Sequence, residues 1–219
     1  MVIAAAGWRV IQDPPGEPQF NMDRDEALSR EAVAQSRPIL RLYRWDRPAV
    51  SLGRRQNPDD LPADLLRRNL PMVHRPTGGG AVLHRLDELT YALAVPRAHL
   101  PAEIRPSEFP GHLHAHLRKA LLSSGSAVPE KLRFARADSP APHSLCFQSP
   151  VRGDLLWGDA KIAGNALRVW REGLLLQGSI QGLPASFDQI AAALCDGVRG
   201  CFHLNKFRNF ASRPSLLIR

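Results

Sequence analysis

The feature that most constrains this chain is the stretch His74–His84, which reads HRPTGGGAVLH. Three consecutive glycines stand between two segments whose apolar pattern is typical of β-strands. Residues without a Cβ allow a positive φ and let a ligand approach the backbone closely. Arg75 and Thr77 beside them offer a guanidinium and a hydroxyl group. A glycine run also fits a plain tight turn, so this stretch alone does not identify a binding site.

A second motif, residues 159–166, reads DAKIAGNA and contains Lys161; Cys146 precedes that lysine by fifteen residues. A thiolate is a strong nucleophile, but a free cysteine with a pKa of about 8.5 is only slightly ionised at pH 7. A nearby ammonium group would favour the thiolate and could hold the oxyanion of a tetrahedral intermediate. Chemistry alone leaves the assignment open, because an unpaired cysteine is commonly a buried small hydrophobe and a lone lysine is usually solvated.

Together, the two motifs resemble the lipoate-protein ligase and octanoyltransferase family, whose members are relatives of biotin protein ligase. Further segments match in the family's order, at 21–28, 41–45, 48–56 and 88–93, and the match resumes at 146–147 and runs to 177–180. Residues 94–145 and the tail beyond Ile180 match poorly. The spacing Cys-Phe-x-x-Pro ahead of Gly-x-x-Lys-Ile-Ala-Gly resembles the cysteine-dependent octanoyltransferase branch, whereas the ATP-using ligases need no cysteine there.

The resemblance implies an α+β fold, with a mixed or antiparallel sheet flanked by helices as in the catalytic domain of biotin and lipoate protein ligases. We expect residues 1–219 to form a single catalytic domain without the C-terminal accessory domain of the long lipoate ligases. The sequence pattern agrees, because strands and helices do not alternate regularly as in a doubly wound sheet. It predicts helices capped at Asn21 and over 59–69, 111–123 and 186–194, and strands over 39–43, 49–52, 72–75, 81–84, 89–95, 154–157, 161–169 and 174–180.

The resemblance also implies the roles of the site residues. Cys146 becomes the nucleophile, and Lys161 contacts the acyl carbonyl or an acyl-adenylate. His84 either orders the loop or meets the acyl group, although a histidine that ends a strand is more often structural. Gln177 stands where the family often has a histidine, and His74 stands where it usually has an arginine. The expected substrate-binding residues are Arg75, Thr77, Gly78, Gly79, Gly80, His84, Gly164, Asn165 and Gln177.

The activity that the resemblance implies is octanoyl or lipoyl transfer to a lysine of a lipoyl domain. Acyl carrier protein is the expected donor, and the acceptors are glycine cleavage H protein or the E2 subunit of a 2-oxoacid dehydrogenase. This route needs no cofactor beyond the octanoate or lipoate substrate. One alternative is an ATP-dependent lipoate-protein ligase, which would use ATP and Mg and act through lipoyl-adenylate. A second is a non-catalytic basic relative that binds a carrier protein or nucleic acid.

Composition narrows these choices. The net charge of +8 and the pI of about 10.2 suit an acidic carrier protein, nucleic acid or an anionic membrane. Two tyrosines and no recognition motif argue against nucleic acid.

No apolar run reaches membrane-spanning length, and 1–6 is too short for a secretory signal, so we expect a cytoplasmic protein. Three cysteines without disulfide or metal spacing fit a reducing compartment. His112 and His116 have metal-ligand spacing but no third ligand, so no metal is expected.

Overall fold

The fold is built on a large mixed sheet and a second, smaller sheet. The computed structural model describes residues 2–5, 7–100, 104–123, 132–136, 138, 145–148 and 150–202. The strands among them are β1 (Val2–Ala5), β2 (Trp8–Gln12), β3 (Ile39–Tyr43), β4 (Ala49–Leu52), β5 (Met72–His74), β6 (Val82–His84), β7 (Leu89–Pro96), β8 (Leu132–Phe134), β9 (Leu155–Trp157), β10 (Ala160–Val169) and β11 (Gly173–Ile180). The α-helices are α1 (Pro18–Ala34), α2 (Ala63–Leu66), α3 (Phe109–Ser123) and α4 (Phe187–Cys201). The α+β prediction is confirmed.

The large sheet has the order β1-β2-β3-β7-β11-β10-β9-β8, and the small sheet has the order β5-β4-β6. In the large sheet β2 and β3 run parallel, while the other neighbouring pairs are antiparallel. In the small sheet β4 is parallel to β5 and antiparallel to β6. The glycine run therefore connects the two outer strands of the small sheet.

The central strands β3, β7 and β11 are buried at every residue because both faces of the large sheet are covered. Side chains alternate between the faces of a strand. On β7, Leu93 and Val95 join the core formed with α3 and α4, while Ala92 and Ala94 join the core formed with α1. The small alanine side chains let α1 lie close to the sheet. This packing fixes β10 and β11, which carry much of the site described below.

Most predicted elements are confirmed, including the hairpin between β9 and β10 that turns at Gly158 with a φ of +59°. The cap prediction at Asn21 was wrong. Helix α1 begins at Pro18, and Glu17 caps it by accepting a hydrogen bond from the Phe20 amide at 3.2 Å. Proline suits the first helical position because its missing N–H has no partner there in any case. Asn21 is buried inside the helix, where its amide donates to the Gly16 carbonyl at 3.0 Å.

The helix predicted over 59–69 was also wrong in extent. A 3₁₀ turn at Pro58–Asp60 and the short α2 replace it, because Pro62 interrupts the run. The short strands β1, β2 and β8 were not predicted. The loop predicted over 135–142 lies mostly outside the described residues. Within the described part of the chain, every helix is too short or too polar to cross a membrane.

Candidate active site

The glycine run forms a tight turn that Arg75 holds from inside. Gly79 has a φ of +85°, a conformation that favours glycine. One amino nitrogen of Arg75 (Nη2) donates to the carbonyls of Gly78 at 2.6 Å and Gly80 at 2.7 Å. The other (Nη1) donates to the Ser51 carbonyl at 2.9 Å, so the guanidinium ties the turn to β4.

Arg75 is also a buried cation. Burial lowers the pKa of Arg75 from 12.5 to about 10, and the negative charge of an ionised Cys146 acts to raise it. The guanidinium therefore stays protonated at neutral pH. Its hydrogen bonds go to backbone carbonyls and to the Ser51 hydroxyl, and among the described residues no carboxylate pairs with it, so its charge contributes a positive potential near the thiol.

Cys146 and Lys161 lie in direct contact. Cys146 begins a 3₁₀ turn, and its backbone N–H donates to the Ala81 carbonyl at 2.7 Å, immediately after the glycine run. Lys161 stands at the start of β10, and its Nζ lies 3.1 Å from the Cys146 Sγ and 3.1 Å from the Cys146 carbonyl oxygen. The two residues that the sequence placed fifteen positions apart are thus hydrogen-bonded partners.

Asp154 completes this group, and the sequence analysis missed it. Its Oδ2 lies 2.7 Å from Lys161 Nζ, and both side chains are almost fully buried, with 5% and 1% of their surface exposed. The same oxygen accepts the Val151 N–H at 2.8 Å, which fixes the carboxylate. Gly164 leaves room for the lysine, because a Cβ there would lie 2.5 Å from Lys161 Cε. The only sequence signal for Asp154 was a carboxylate at the base of the hairpin that carries Lys161.

A cavity of about 460 Å³, counting its open mouth, lies between the glycine turn, the small sheet and strands β10 and β11. Of the predicted site residues, it is lined by Cys146, Arg75, Gly79, His84, Gly164, Asn165 and Gln177. Thr77, Gly78, Gly80 and Lys161 are not among its lining residues. The rest of the lining is Met22, Tyr43, Trp45, Ser51, Val82, Thr90, Phe147, Ala166, Gly178 and Ser179.

Gln177 connects the glycine turn to the interior. Its carbonyl oxygen accepts the Thr77 hydroxyl at 2.8 Å, and its amide donates to Asp25 at 2.7 Å. Asp25 is fully buried and also accepts from Arg41 at 2.8 Å and Tyr43 at 2.8 Å. The residue that stands in the place of a histidine is therefore an uncharged link in a buried network.

Both ring nitrogens of His84 are occupied. Nδ1 lies 2.6 Å from a Glu88 carboxylate oxygen, and Nε2 lies 2.7 Å from the Ser51 hydroxyl. The ring stacks on Trp45 with centroids 3.9 Å apart. These contacts fit the loop-ordering role, and the ring also forms part of the cavity wall.

Asn165 is held by two further residues that the sequence analysis missed. Its Oδ1 accepts a hydrogen bond from Tyr91, and its Nδ2 donates to His114 Nε2 at 2.8 Å. His114 Nδ1 in turn donates to the Gly153 carbonyl at 2.8 Å. Burial lowers the pKa of His114, which agrees with this neutral tautomer. No motif marks His114, which lies between His112 and His116 on α3. Among the described residues, no group of three potential metal ligands occurs.

Residues 17–192 match the family model of the lipoyl protein ligase A/B catalytic domain. The chain belongs to this family. Its match to octanoyltransferase LipM of Oceanobacillus iheyensis is 33% identical over 181 residues, covering 79% of this chain and 63% of that protein. The chain thus spans less than two thirds of the length of this relative.

Solved structures of the lipoyl protein ligase family share the fold. Protein Ta0514 of T. acidophilum, solved with bound lipoic acid, superposes with a TM-score of 0.70 at 20% identity, covering 90% of this chain and 86% of that one. A lipoate-protein ligase A bound with ATP gives a TM-score of 0.68 at 21% identity, covering 90% and 85%. These likenesses confirm the expected catalytic-domain fold.

Proposed function

We propose that this protein is an acyltransferase of protein lipoylation, which moves an octanoyl group from a carrier-protein thioester to the lysine of a lipoyl domain through a thioester on Cys146. The observation that carries the proposal is the 3.1 Å contact between Cys146 Sγ and Lys161 Nζ beside the cavity. The name of the relative from O. iheyensis, an octanoyltransferase, supports the acyl group and the reaction class.

In the first step, the Cys146 thiolate attacks the carbonyl carbon of the donor thioester. The carbonyl becomes a tetrahedral oxyanion, which the Lys161 ammonium stabilises. Collapse breaks the original C–S bond, and the carrier leaves as a thiolate that takes up a proton. One thioester replaces another, so this step is close to neutral in free energy and needs no ATP.

In the second step, the neutral ε-amine of the lipoyl-domain lysine attacks the Cys146 thioester. The nitrogen releases a proton to water, which balances the proton taken up by the carrier thiolate in the first step; the C–S bond breaks, and the Cys146 thiolate is regenerated. An amide is more stable than a thioester, so this step is downhill. Lys161 again faces the developing oxyanion, so one cation assists both steps.

The cavity wall suits an acyl chain. Met22, Trp45, Val82 and Ala166 contribute apolar surface. Each methylene buried there contributes roughly 0.8 kcal/mol. The acyl chain is therefore proposed to lie in this cavity with its carbonyl at Cys146. Acyl carrier protein and lipoyl-domain proteins in the cytoplasm are the proposed partners.

The test is acyl transfer from octanoyl-acyl carrier protein without ATP, followed by intact-protein mass spectrometry. We expect one octanoyl adduct on Cys146 of the wild-type protein, and neither adduct nor transfer for Cys146→Ala. Cys195→Ala is the control, because burial raises the pKa of Cys195 to about 12 and keeps this thiol protonated. Transfer that persists in Cys146→Ala, or that requires ATP, would overturn the proposal in favour of an adenylate mechanism.

A further inference from the structure

A basic hollow lies on the outer side of the glycine turn. Its lining residues are Arg54, Arg55, Gln56, Pro76, Gly78, Gly79, Leu167 and Arg168. This arginine hollow and the acyl cavity share Gly79, so the two spaces meet at the turn. None of its lining residues is acidic, and among the described residues no carboxylate forms an ion pair with Arg54 or Arg55.

The hollow has a fixed backbone. The Arg54 N–H donates to the Thr77 carbonyl at 2.9 Å, and the Gln56 N–H donates to the Gly53 carbonyl at 2.9 Å. A Cβ on Gly53 would lie 1.9 Å from the Gly79 carbonyl oxygen, so the two loops touch. Two exposed arginines are therefore carried on a segment pinned to the wall of the acyl cavity.

Strand β10 connects the hollow to the reacting thiol. Gly164 lies against Lys161, Ala166 lines the acyl cavity, and Arg168 lines the hollow. Four residues of extended strand span about 13 Å, so Arg168 stands about that far along β10 from Gly164. Arg168 also lies 3.6 Å from Glu26, a partly exposed contact that leaves 33% of the arginine side chain open to solvent.

We propose that the arginine hollow binds the phosphate on the arm of the acyl-thioester donor, which rests on the proposed function above. A carrier protein presents its acyl group as a thioester on a phosphopantetheine arm. When the acyl carbonyl lies at Cys146, the rest of this arm must extend out through the mouth of the cavity, and it ends in a phosphate. Guanidinium groups bind phosphate oxygens in a bidentate manner. Because a guanidinium is only weakly hydrated, an exposed arginine loses little hydration free energy when it binds a phosphate. The hollow thus selects donors by a charge that is remote from the bond being broken.

The test compares octanoyl-phosphopantetheine with octanoyl-pantetheine, two donors that differ only by the phosphate. With wild-type protein we expect kcat/KM for the phosphorylated donor to be higher and to fall as salt is raised, because salt screens exposed charges. Arg54→Glu/Arg55→Glu should lower kcat/KM for the phosphorylated donor about tenfold and leave octanoyl-pantetheine within about twofold. Arg54→Gln/Arg55→Gln should give the same pattern more weakly, which guards against a misfolded double-glutamate variant.

The matched control is Arg67→Glu/Arg68→Glu, an adjacent pair of exposed arginines that does not line the hollow. This control should behave as wild type with both donors. Equal losses with both donors, or no loss, would overturn the phosphate site. A loss seen with intact octanoyl-acyl carrier protein but absent with octanoyl-phosphopantetheine would assign the hollow to the protein surface of the carrier instead. Wild-type protein that transfers from none of these donors would refute the proposed function itself.

Discussion

At the residue scale, the decisive arrangement is a buried lysine between a thiol and a carboxylate. An unpaired buried ammonium would be costly, and Asp154 offsets that cost at 2.7 Å. The carboxylate therefore holds the Lys161 ammonium in place against the Cys146 sulfur. In the proposed mechanism, Asp154 acts through Lys161 and is a positioning residue.

We expect Lys161→Ala to lower the transfer rate about 100-fold or more, the scale of losing one oxyanion donor. Asp154→Asn should lower kcat about tenfold, with little change in KM, because the ammonium remains but is less well held. Asp154→Glu should restore part of the rate. The measurement is kcat and KM of each variant at one fixed pH near neutrality.

Asp159→Asn is the matched control for this series. Asp159 lies on the same hairpin, but it is fully exposed and pairs with Arg133 at the surface at 2.7 Å. Exposed pairs of this kind contribute little. If kcat and KM of Asp154→Asn match those of Asp159→Asn, Asp154 does not position Lys161.

At the scale of elements, the glycine turn and the β9–β10 hairpin bring the cavity wall, Cys146 and Lys161 together. The three glycines are not equivalent. At Gly79 φ is +85°, and a Cβ would lie 3.1 Å from Arg75 Nη2, whereas a Cβ on Gly78 would meet nothing within 4 Å. Gly79 is therefore the position in the turn at which the backbone conformation requires glycine.

We expect Gly79→Ala to lose about 1–2 kcal/mol of folding free energy, since an L-residue is strained at this φ. For a chain of this size that corresponds to a thermal midpoint lower by several degrees. Acyl transfer should fall as well, because Gly79 lines the cavity. Gly78→Ala should have the same thermal midpoint and the same transfer rate as the wild type. Calorimetry and turnover of the two variants test this, and equal behaviour would show that the turn does not depend on Gly79.

At the scale of the whole molecule, polar contacts join layers that are distant in sequence. Hydrogen bonds from Tyr91 to Asn165 and from Asn165 to His114 tie α3 to the large sheet, although His114 and Asn165 are 51 positions apart in the sequence. His114 Nε2 can accept from Asn165 only while it is unprotonated. Burial lowers the pKa of His114, and the nearby charges of Asp154 and Lys161 act on it in opposite directions.

This contact predicts a loss of stability in mild acid. The unfolded chain, in which the histidine has its ordinary pKa of 6.5, binds a proton that the folded state resists. The contribution is therefore complete above pH 6.5 and is lost as the pH falls below it towards the lowered folded pKa. His114→Gln, whose amide oxygen can take the place of Nε2, should weaken this dependence in urea unfolding at about pH 7.5 and pH 5.5. His99→Gln, a change at an exposed histidine, should leave this dependence unaltered. If the unfolding free energy changes equally between the two pH values in the wild type, His114→Gln and His99→Gln, the prediction is contradicted.

The sequence by itself determined the local structure and the chemistry of two motifs. Short, mostly apolar runs bounded by turn residues predicted strands such as Ile39–Tyr43, and the glycine run predicted the turn, because these depend on residues close in the chain. The family resemblance identified Cys146 and Lys161 as a candidate pair from the sequence alone. Local rules competed at Asn21 and Pro62: Glu17 and Pro18, upstream of Asn21, set the start of α1, and Pro62 itself interrupts the helix predicted over 59–69.

Only the tertiary structure decided which polar side chains become partners. Thr77 and Gln177 are 100 residues apart, yet they share a hydrogen bond. Asp154, His114 and Tyr91 were not among the predicted site residues, because their roles arise only when the elements that carry them pack against each other. The arginine hollow likewise combines residues of the β4–β5 connection, the glycine turn and β10. Burial removes water as the alternative partner for such groups, so each must find its partner within the protein, and that choice depends on long-range packing.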